Sequence, residues 1–225
     1  SPYAIEINEV DFGVENSINE EEGDEKKKKK NKKKGFAEKL IEEDENVSNK
    51  NVEKIILLKN VNVQIKKKEH IGIIGGVGSG KTCLLNSFIN NLEVMNKNGK
   101  GQNIKLSGKI SFVSQVPWIL NTTVEKNIIL FNKKDEEKYK KVVSICQLES
   151  DFQHLPGGDK TEIGEKGINL SGGQKARISI ARAIYNDAEI YIFDDPLSAL
   201  DAYVGMNLFK EVFNNFLQDN PFIIS

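Results

Sequence analysis

Cysteine is scarce. Cys83 and Cys146 are the only two in 225 residues, and they stand far apart at no metal-binding spacing. That excludes a disulfide framework and a cysteine-built metal centre, and it reads as two reduced thiols in a cytosolic protein. An excess of one charge is also missing. Lys and Arg number 32 against 33 Asp and Glu, a formal net charge of −1. Global charge therefore points to neither nucleic acid nor a membrane surface. No apolar run is long enough to span a bilayer, and no signal peptide is recognisable. Any membrane-spanning part is expected on another chain or on a part cut away. The final stretch Pro221-Phe222-Ile223-Ile224-Ser225 reads as a strand cut short.

What is present begins with glycine. Gly75-Gly76-Val77-Gly78-Ser79-Gly80-Lys81-Thr82 fits G-x-x-x-x-G-K-[ST], the phosphate-binding loop. The apolar run Ile71-Gly72-Ile73-Ile74 before it reads as a buried strand, and Cys83 opens a helix after it. That context is what the motif needs. The glycines let the backbone wrap an anion with its N–H groups pointing inward, and the helix N-terminus adds partial positive charge. The cofactor-binding set is therefore Gly75 to Thr82 with Cys83. Lys81 reaches the β- and γ-phosphates of a nucleoside triphosphate, and the Thr82 hydroxyl holds Mg²⁺.

The rest of the chain reads in order. Residues 4–10 alternate apolar and polar as a half-buried strand, and Phe12 continues it. Residues 15–51 are acidic, then lysine-rich, then acidic again, and are expected to be a disordered low-complexity insertion with one short helix over 36–41. Residues 55–58 and 61–65 read as two strands joined by a short turn. Strands follow over 104–113, broken at Ser107-Gly108. Helices are expected over 124–131, 136–146 and 148–152, making a helical subdomain over 118–168. Residues 52–117 and 169–225 form the core of a single domain spanning 1–225. A helix is expected over 171–184, opened by Ser171, and another over 204–217.

Three further features carry chemistry. The apolar strand Glu189-Ile190-Tyr191-Ile192-Phe193 runs into Asp194, a carboxylate expected on a strand neighbouring the phosphate loop and able to hold Mg²⁺ opposite Thr82. Asp195 stands where a base would polarise an attacking water. The third feature is Leu170-Ser171-Gly172-Gly173-Gln174, a second glycine pair at a helix start. One nucleotide does not need two cradles. Head-to-tail pairing resolves this, with Ser171, Gly172, Gly173 and Gln174 capping a nucleotide held on a partner's loop.

That combination resembles the nucleotide-binding domain of an ABC transporter, whose signature is LSGGQ. The match extends through TEIGEKGINLSGGQKARISIARAIY and IYIFDDPLSALDA. These are most similar to the first such domain of the multidrug-resistance-associated transporters, subfamily C. The resemblance covers nearly all of the chain outside the insertion. It implies an α/β P-loop NTPase core with a mixed sheet, an N-terminal antiparallel β element and a helical subdomain. It also implies ATP and Mg²⁺ as cofactors, and a place on the cytoplasmic face of a membrane within an integral transporter. The implied partners are a second nucleotide-binding domain and the cytoplasmic helices of transmembrane domains. Gln115 is then the glutamine that touches Mg²⁺ and the attacking water. Residues 161–167 resemble the loop that touches the partner's helices in exporters, and Asp201 an aspartate at the dimer interface. The catalytic set is Asp195, Gln115 and Lys81, and the metal set Thr82, Gln115 and Asp194. Two other readings share the motifs: a nucleotide-sensing module of a channel-type subfamily C protein, and a soluble ABC ATPase.

Three departures from the family pattern bear on function. Asp195 stands where strongly hydrolytic members have Glu, which implies a degenerate site. Val14 falls where an aromatic ring usually stacks on adenine, so Phe12 or Tyr3 is expected to substitute, or the base is held loosely. The family's switch histidine follows a late strand, and neither His70 nor His154 fills that role; both are expected at the surface.

Overall fold

A computed structural model describes residues 1–17, 52–95, 104–164 and 169–225. Its strands are β1 (Tyr3–Ser17), β2 (Val52–Lys66), β3 (His70–Gly72), β4 (Glu93–Val94), β5 (Ile104–Leu106), β6 (Ile110–Val113), β7 (Ile190–Phe193) and β8 (Phe222–Ile224). Its helices are α1 (Lys81–Phe88), α2 (Val124–Ile129), α3 (Glu136–Ile145), α4 (Glu149–His154), α5 (Gly172–Tyr185) and α6 (Ala202–Leu208). A 3₁₀ turn spans Gly158–Lys160, and α6 continues as a π-helical stretch, Phe209–Phe216.

Strands of both senses are present, divided between two sheets. β1 pairs antiparallel with β2 and also with β4 and β5. The second sheet is parallel in the order β3-β8-β7-β6. All four residues of β7 are buried. The alternating pleat divides them: Tyr191 and Phe193 join a core with α2, α3 and α5, while Ile190 and Ile192 join a second core with Ile5, Ile7, Phe12 and Leu85. A strand covered on both faces has to read as an unbroken apolar run, and this one does.

Two expectations are corrected in the antiparallel sheet. Residues 55–58 and 61–65 are not two strands with a turn between them; both lie in β2. Asn60 takes φ 49° and its N–H donates to Asp11 Oδ1 at 2.6 Å, while Glu9 N–H donates to Asn62 Oδ1 at 3.0 Å. The polar residues that signal a turn here stabilise bulges within one ladder. Residues 15–17, expected to belong to a disordered insertion, are part of a strand: β1 runs on to Ser17, and Glu15 is paired with Lys54 at 2.6 Å. The short helix over 36–41 lies outside the described residues.

The largest helix, α5, buries Ile178, Ile180, Ala181 and Ile184. Arg182 of α5 is 7 % exposed, and each of its three nitrogens is bonded. Its Nε donates to Asn127 O at 2.7 Å, its two terminal nitrogens each donate once, to Trp118 O and Asn127 Oδ1, and its guanidinium lies 3.7 Å from the centre of the Trp118 ring. Burial lowers its pKa to about 10. α5 is thereby bonded to the segment that follows Gln115. Among the described residues, no helix is long and apolar enough to cross a membrane.

Candidate functional site

At the end of β3, Ile73 N–H donates to Ile224 O of β8 at 2.8 Å, and the chain then turns into the phosphate loop. Gly78 and Gly80 have φ of 76° and 93°, in the left-handed region that favours glycine. A Cβ on Gly75 would lie 2.5 Å from Ser79 Oγ, so the loop closes tightly only with glycine there. α1 opens on Gly80 with no side-chain cap, which leaves its first N–H groups for a ligand. Lys81 Nζ donates to Gly75 O at 2.9 Å and Gly76 O at 3.0 Å, holding the ammonium over the loop. An ammonium has three N–H donors, so one remains. Thr82 is exposed just inside the helix, and Val77 forms the exposed rim of the loop.

The sequence reading expects Asp194 on a strand next to the phosphate loop, and here the topology differs. β8 lies between β3 and β7. Ser225, just past β8, spans the gap: its hydroxyl donates to Asp194 Oδ1 at 2.9 Å and accepts from Asp195 N–H at 3.0 Å. Sequence reasoning missed Ser225, since no local feature of 221–225 points to Asp194. Asp194 is 2 % exposed and its N–H donates to Val113 O at 2.9 Å. Asp195 has φ 46°, a left-handed conformation that Asp tolerates better than most residues, and it is less buried than Asp194. Gln115 is exposed just past β6, and it lines one small cavity with Asp195, Pro196 and Ala176. Asp195 and Gln115 are thus brought together at the carboxyl ends of β6 and β7. His70 opens β3 with its ring stacked on Phe222 at 4.2 Å, and the exposed His154 ends α4.

The signature turn lies at the start of α5. Ser171 caps the helix by accepting Gln174 N–H on its hydroxyl at 3.2 Å, and Gln174 Oε1 accepts Ser171 N–H at 2.9 Å. This is a capping box, and it satisfies two of the helix's free donors reciprocally. Gly172 is exposed. Gly173 packs closely: a Cβ there would lie 3.2 Å from Ala199 O, tight enough that the 199–200 segment would have to shift by a few tenths of an ångström. Asp201 caps α6, accepting Tyr203 and Val204 N–H groups.

The family model for ABC transporters matches residues 58–198, which is more than half of the chain and holds the phosphate loop, Asp194 and the signature. The chain belongs to the ABC transporter family. Its relatives include ABC transporter C family member 8 of Dictyostelium discoideum, 52% identical over 159 residues, covering 71% of this chain and 10% of the relative. ATP-binding cassette sub-family C member 2 of Mus musculus is 48% identical over 155 residues, 69% of this chain and 10% of the relative. ABC transporter C family member 9 of Arabidopsis thaliana is 43% identical over 162 residues, 72% of this chain and 10% of the relative. The chain spans about a tenth of the length of the curated relatives it matches.

Domains of the ABC family bind ATP, generally with Mg²⁺, and the donor set of this ABC domain fits both. Among the described residues no group of three or more His, Cys, Asp and Glu could hold a metal. A dication here would rest on one carboxylate, Asp194, with the Thr82 hydroxyl and the Gln115 carbonyl. All are hard oxygens, and Mg²⁺ usually takes one or two carboxylates plus substrate phosphates.

The adenine end is less expected. Phe12 is 0 % exposed within the core, so its ring is not available to a base. Tyr3 pairs with Lys66 at the far end of β1. It stands about eleven residues from Val14, on the order of 30 Å along a strand. Neither substitutes for the missing aromatic. The Val14 end is the one near the loop: Phe12 pairs with Leu58, whose Cδ2 lies 3.8 Å from where a Gly80 Cβ would be. Val14 pairs with Ile55, and Ile55, Ile56 and Leu57 are 37%, 43% and 43% exposed. That surface is aliphatic.

Proposed function

We propose that this chain is the ATP-binding domain of a subfamily C exporter, the first of two such domains in its transporter. The observation that carries the reading is the glycine loop closed around the Lys81 ammonium at the start of α1. In this reading Lys81 and the N–H groups of residues 75–83 hold the triphosphate, and Thr82, Gln115 and Asp194 hold Mg²⁺, which neutralises phosphate charge when bound. The base rests on the aliphatic side chains of Val14 and Ile55 in place of an aromatic ring. Base–aromatic stacking contributes about 1–3 kcal/mol, so ATP is held more weakly than on a ring.

The site is degenerate. Asp195 has the carboxylate a hydrolytic site needs but one methylene less reach than Glu, and a misplacement of about 1 Å costs on the order of 100-fold in rate. The exposed signature of Ser171 to Gln174 completes the competent site on the second nucleotide-binding domain. ATP closes that dimer through its higher affinity for the closed state. Val116, Trp118, Leu120 and Phe131 are exposed apolar side chains around Gln115 and α2, which suits docking of the transporter's cytoplasmic helices. Residues 161–164 pair with the start of α2 through Thr123 and Glu162, and 165–168 lie outside the described residues. A sensing module of a channel-type relative would use the same geometry.

Two experiments test this. Calorimetric titration with Mg²⁺-ATP is expected to show binding that Lys81→Ala weakens by about ten- to a hundredfold. In the full-length protein, Asp195→Glu is expected to raise ATP hydrolysis, and no gain there would remove the account of a degenerate site.

A further inference from the structure

The signature turn is tied to a different helix by a carboxylate that is mostly shielded from water. Asp151, in α4, has a side chain only 14% exposed and accepts from two residues of α5. Its Oδ1 takes Gln174 Nε2 at 3.0 Å and an Arg177 N–H at 3.1 Å, and its Oδ2 lies 2.9 Å from the other terminal nitrogen of Arg177. Arg177 is 12% exposed at its side chain and also donates to Gln147 O at 2.6 Å. Gln147 has φ 54°, and its Nε2 reaches Val204 O at 3.3 Å, in the first turn of the Asp201-capped helix α6. A continuous chain of polar contacts thus runs from Ser171 through Gln174, Asp151, Arg177 and Gln147 to α6.

Both ends of that chain carry residues assigned above to the partner-facing surface, Ser171 to Gln174 at one and Asp201 at the other. Gln174 is held through both ends of its amide: its Oε1 serves the capping box and one N–H of Nε2 serves Asp151. Ser171 Oγ accepts Gln174 N–H, so its own O–H is free to donate outward. The charged contacts are sheltered from water, where they are stronger and where losing one partner strands the other.

We infer that Asp151 is a positioning residue: through Gln174 and Arg177 it holds the signature turn and the start of α6 in one fixed relation, so that both meet a partner-bound nucleotide together. This rests on the reading of the signature as a donor to the partner's site. It touches no phosphate itself. Its loss should appear in turnover at the partner site and leave ATP binding on this domain's own loop unchanged.

The test uses the full-length protein in lipid, with wild type, Asp151→Ala, Asp151→Asn, Gln174→Ala and the double variant Asp151→Ala/Gln174→Ala, and Ser171→Ala as reference. Four quantities are read: steady-state kcat, KM for Mg²⁺-ATP, and the Mg²⁺-ATP Kd and thermal midpoint of the isolated domain. Asp151→Ala is expected to lower kcat about tenfold while the domain's own Kd stays within about twofold. Asp151→Asn retains an acceptor for Gln174 and is expected to fall between the two. The double variant is expected to lose no more than Asp151→Ala alone, because both changes cut one connection. A kcat unchanged by Asp151→Ala while Ser171→Ala lowers it overturns the inference and leaves the donor reading standing. A kcat unchanged by Ser171→Ala as well overturns the donor reading itself. Loss of thermal midpoint and own-loop Kd together, with additive effects in the double variant, shows a merely structural residue and also overturns the inference.

Discussion

Residues 75–82 and residues 171–174 are both glycine-bearing turns that open helices, yet they are held in different ways. The phosphate loop is shaped by backbone: two left-handed glycines, an uncapped helix start, and a lysine bonded to the loop's own carbonyls. The signature turn is shaped by side chains: a capping box and a carboxylate from another helix. The difference follows from what each has to meet. A loop that surrounds a phosphate keeps its N–H groups unspent. A turn that must meet a ligand held by another domain gains from being set in advance, since ordering it at the moment of binding would cost affinity.

The comparison breaks most directly at Lys81. Replacing it by alanine removes a charged donor from the backbone-held site, and binding of Mg²⁺-ATP is expected to fall by about ten- to a hundredfold in calorimetry. The signature should be insensitive to that change. Amide exchange in α5 is the check, and a loosened α5 in Lys81→Ala would mean that the two turns are not independent.

Gly173→Val is the converse. Its Cβ would press on Ala199 O, so the turn or the 199–200 segment must give way, at a cost of about 1–3 kcal/mol in stability. Thermal unfolding should record that loss, while the Mg²⁺-ATP Kd of the phosphate loop stays near wild type once folded protein is counted.

How much of this was legible follows the same division. Motifs contiguous in the chain could be read: the loop at 75–82, the apolar run ending in Asp194, and Ser171 with Gln174 three residues on. What could not be read depends on distant pairing. Nothing local in Pro221-Phe222-Ile223-Ile224-Ser225 says that β8 enters between β3 and β7 and brings Ser225 onto Asp194. Asp151 sits in a short polar helix and meets Arg177 across 26 positions, with no spacing rule to announce it. Asn60 misled in the opposite direction, since the residue that favours a turn also favours a bulge.

The base-binding end sharpens the comparison further. Val14→Trp would place a ring on a strand end that now offers only aliphatic surface beside the phosphate loop. The Mg²⁺-ATP Kd is expected to tighten about tenfold, with tripolyphosphate binding unchanged, because stacking acts on the base alone. Equal tightening for both ligands would mean that the substitution reshapes the loop and that the base does not rest there.

The smallest effect concerns acid. Glu125 in α2 is almost wholly buried, which by itself raises a carboxyl's pKa, but its bonds to Lys134 and Lys160 outweigh burial and hold it below the ordinary 4.5. A carboxyl whose pKa is depressed on folding stabilises the fold at pH values above 4.5 and loses that contribution as pH falls through the lowered value. Lys160 is largely exposed, so solvent screening keeps the contribution to about 1 kcal/mol. Chemical denaturation from pH 6 down to pH 3 should show wild type losing stability below about pH 4.5, and Glu125→Gln losing less over the same range. This acid sensitivity belongs to the side-chain-held part of the molecule, on the segments that lead to the signature. Among the described residues the backbone-held phosphate loop carries no such ion pair, and α1 should keep its amide protection down to the pH at which the whole domain unfolds. If α1 loosens first, side chains hold the loop after all.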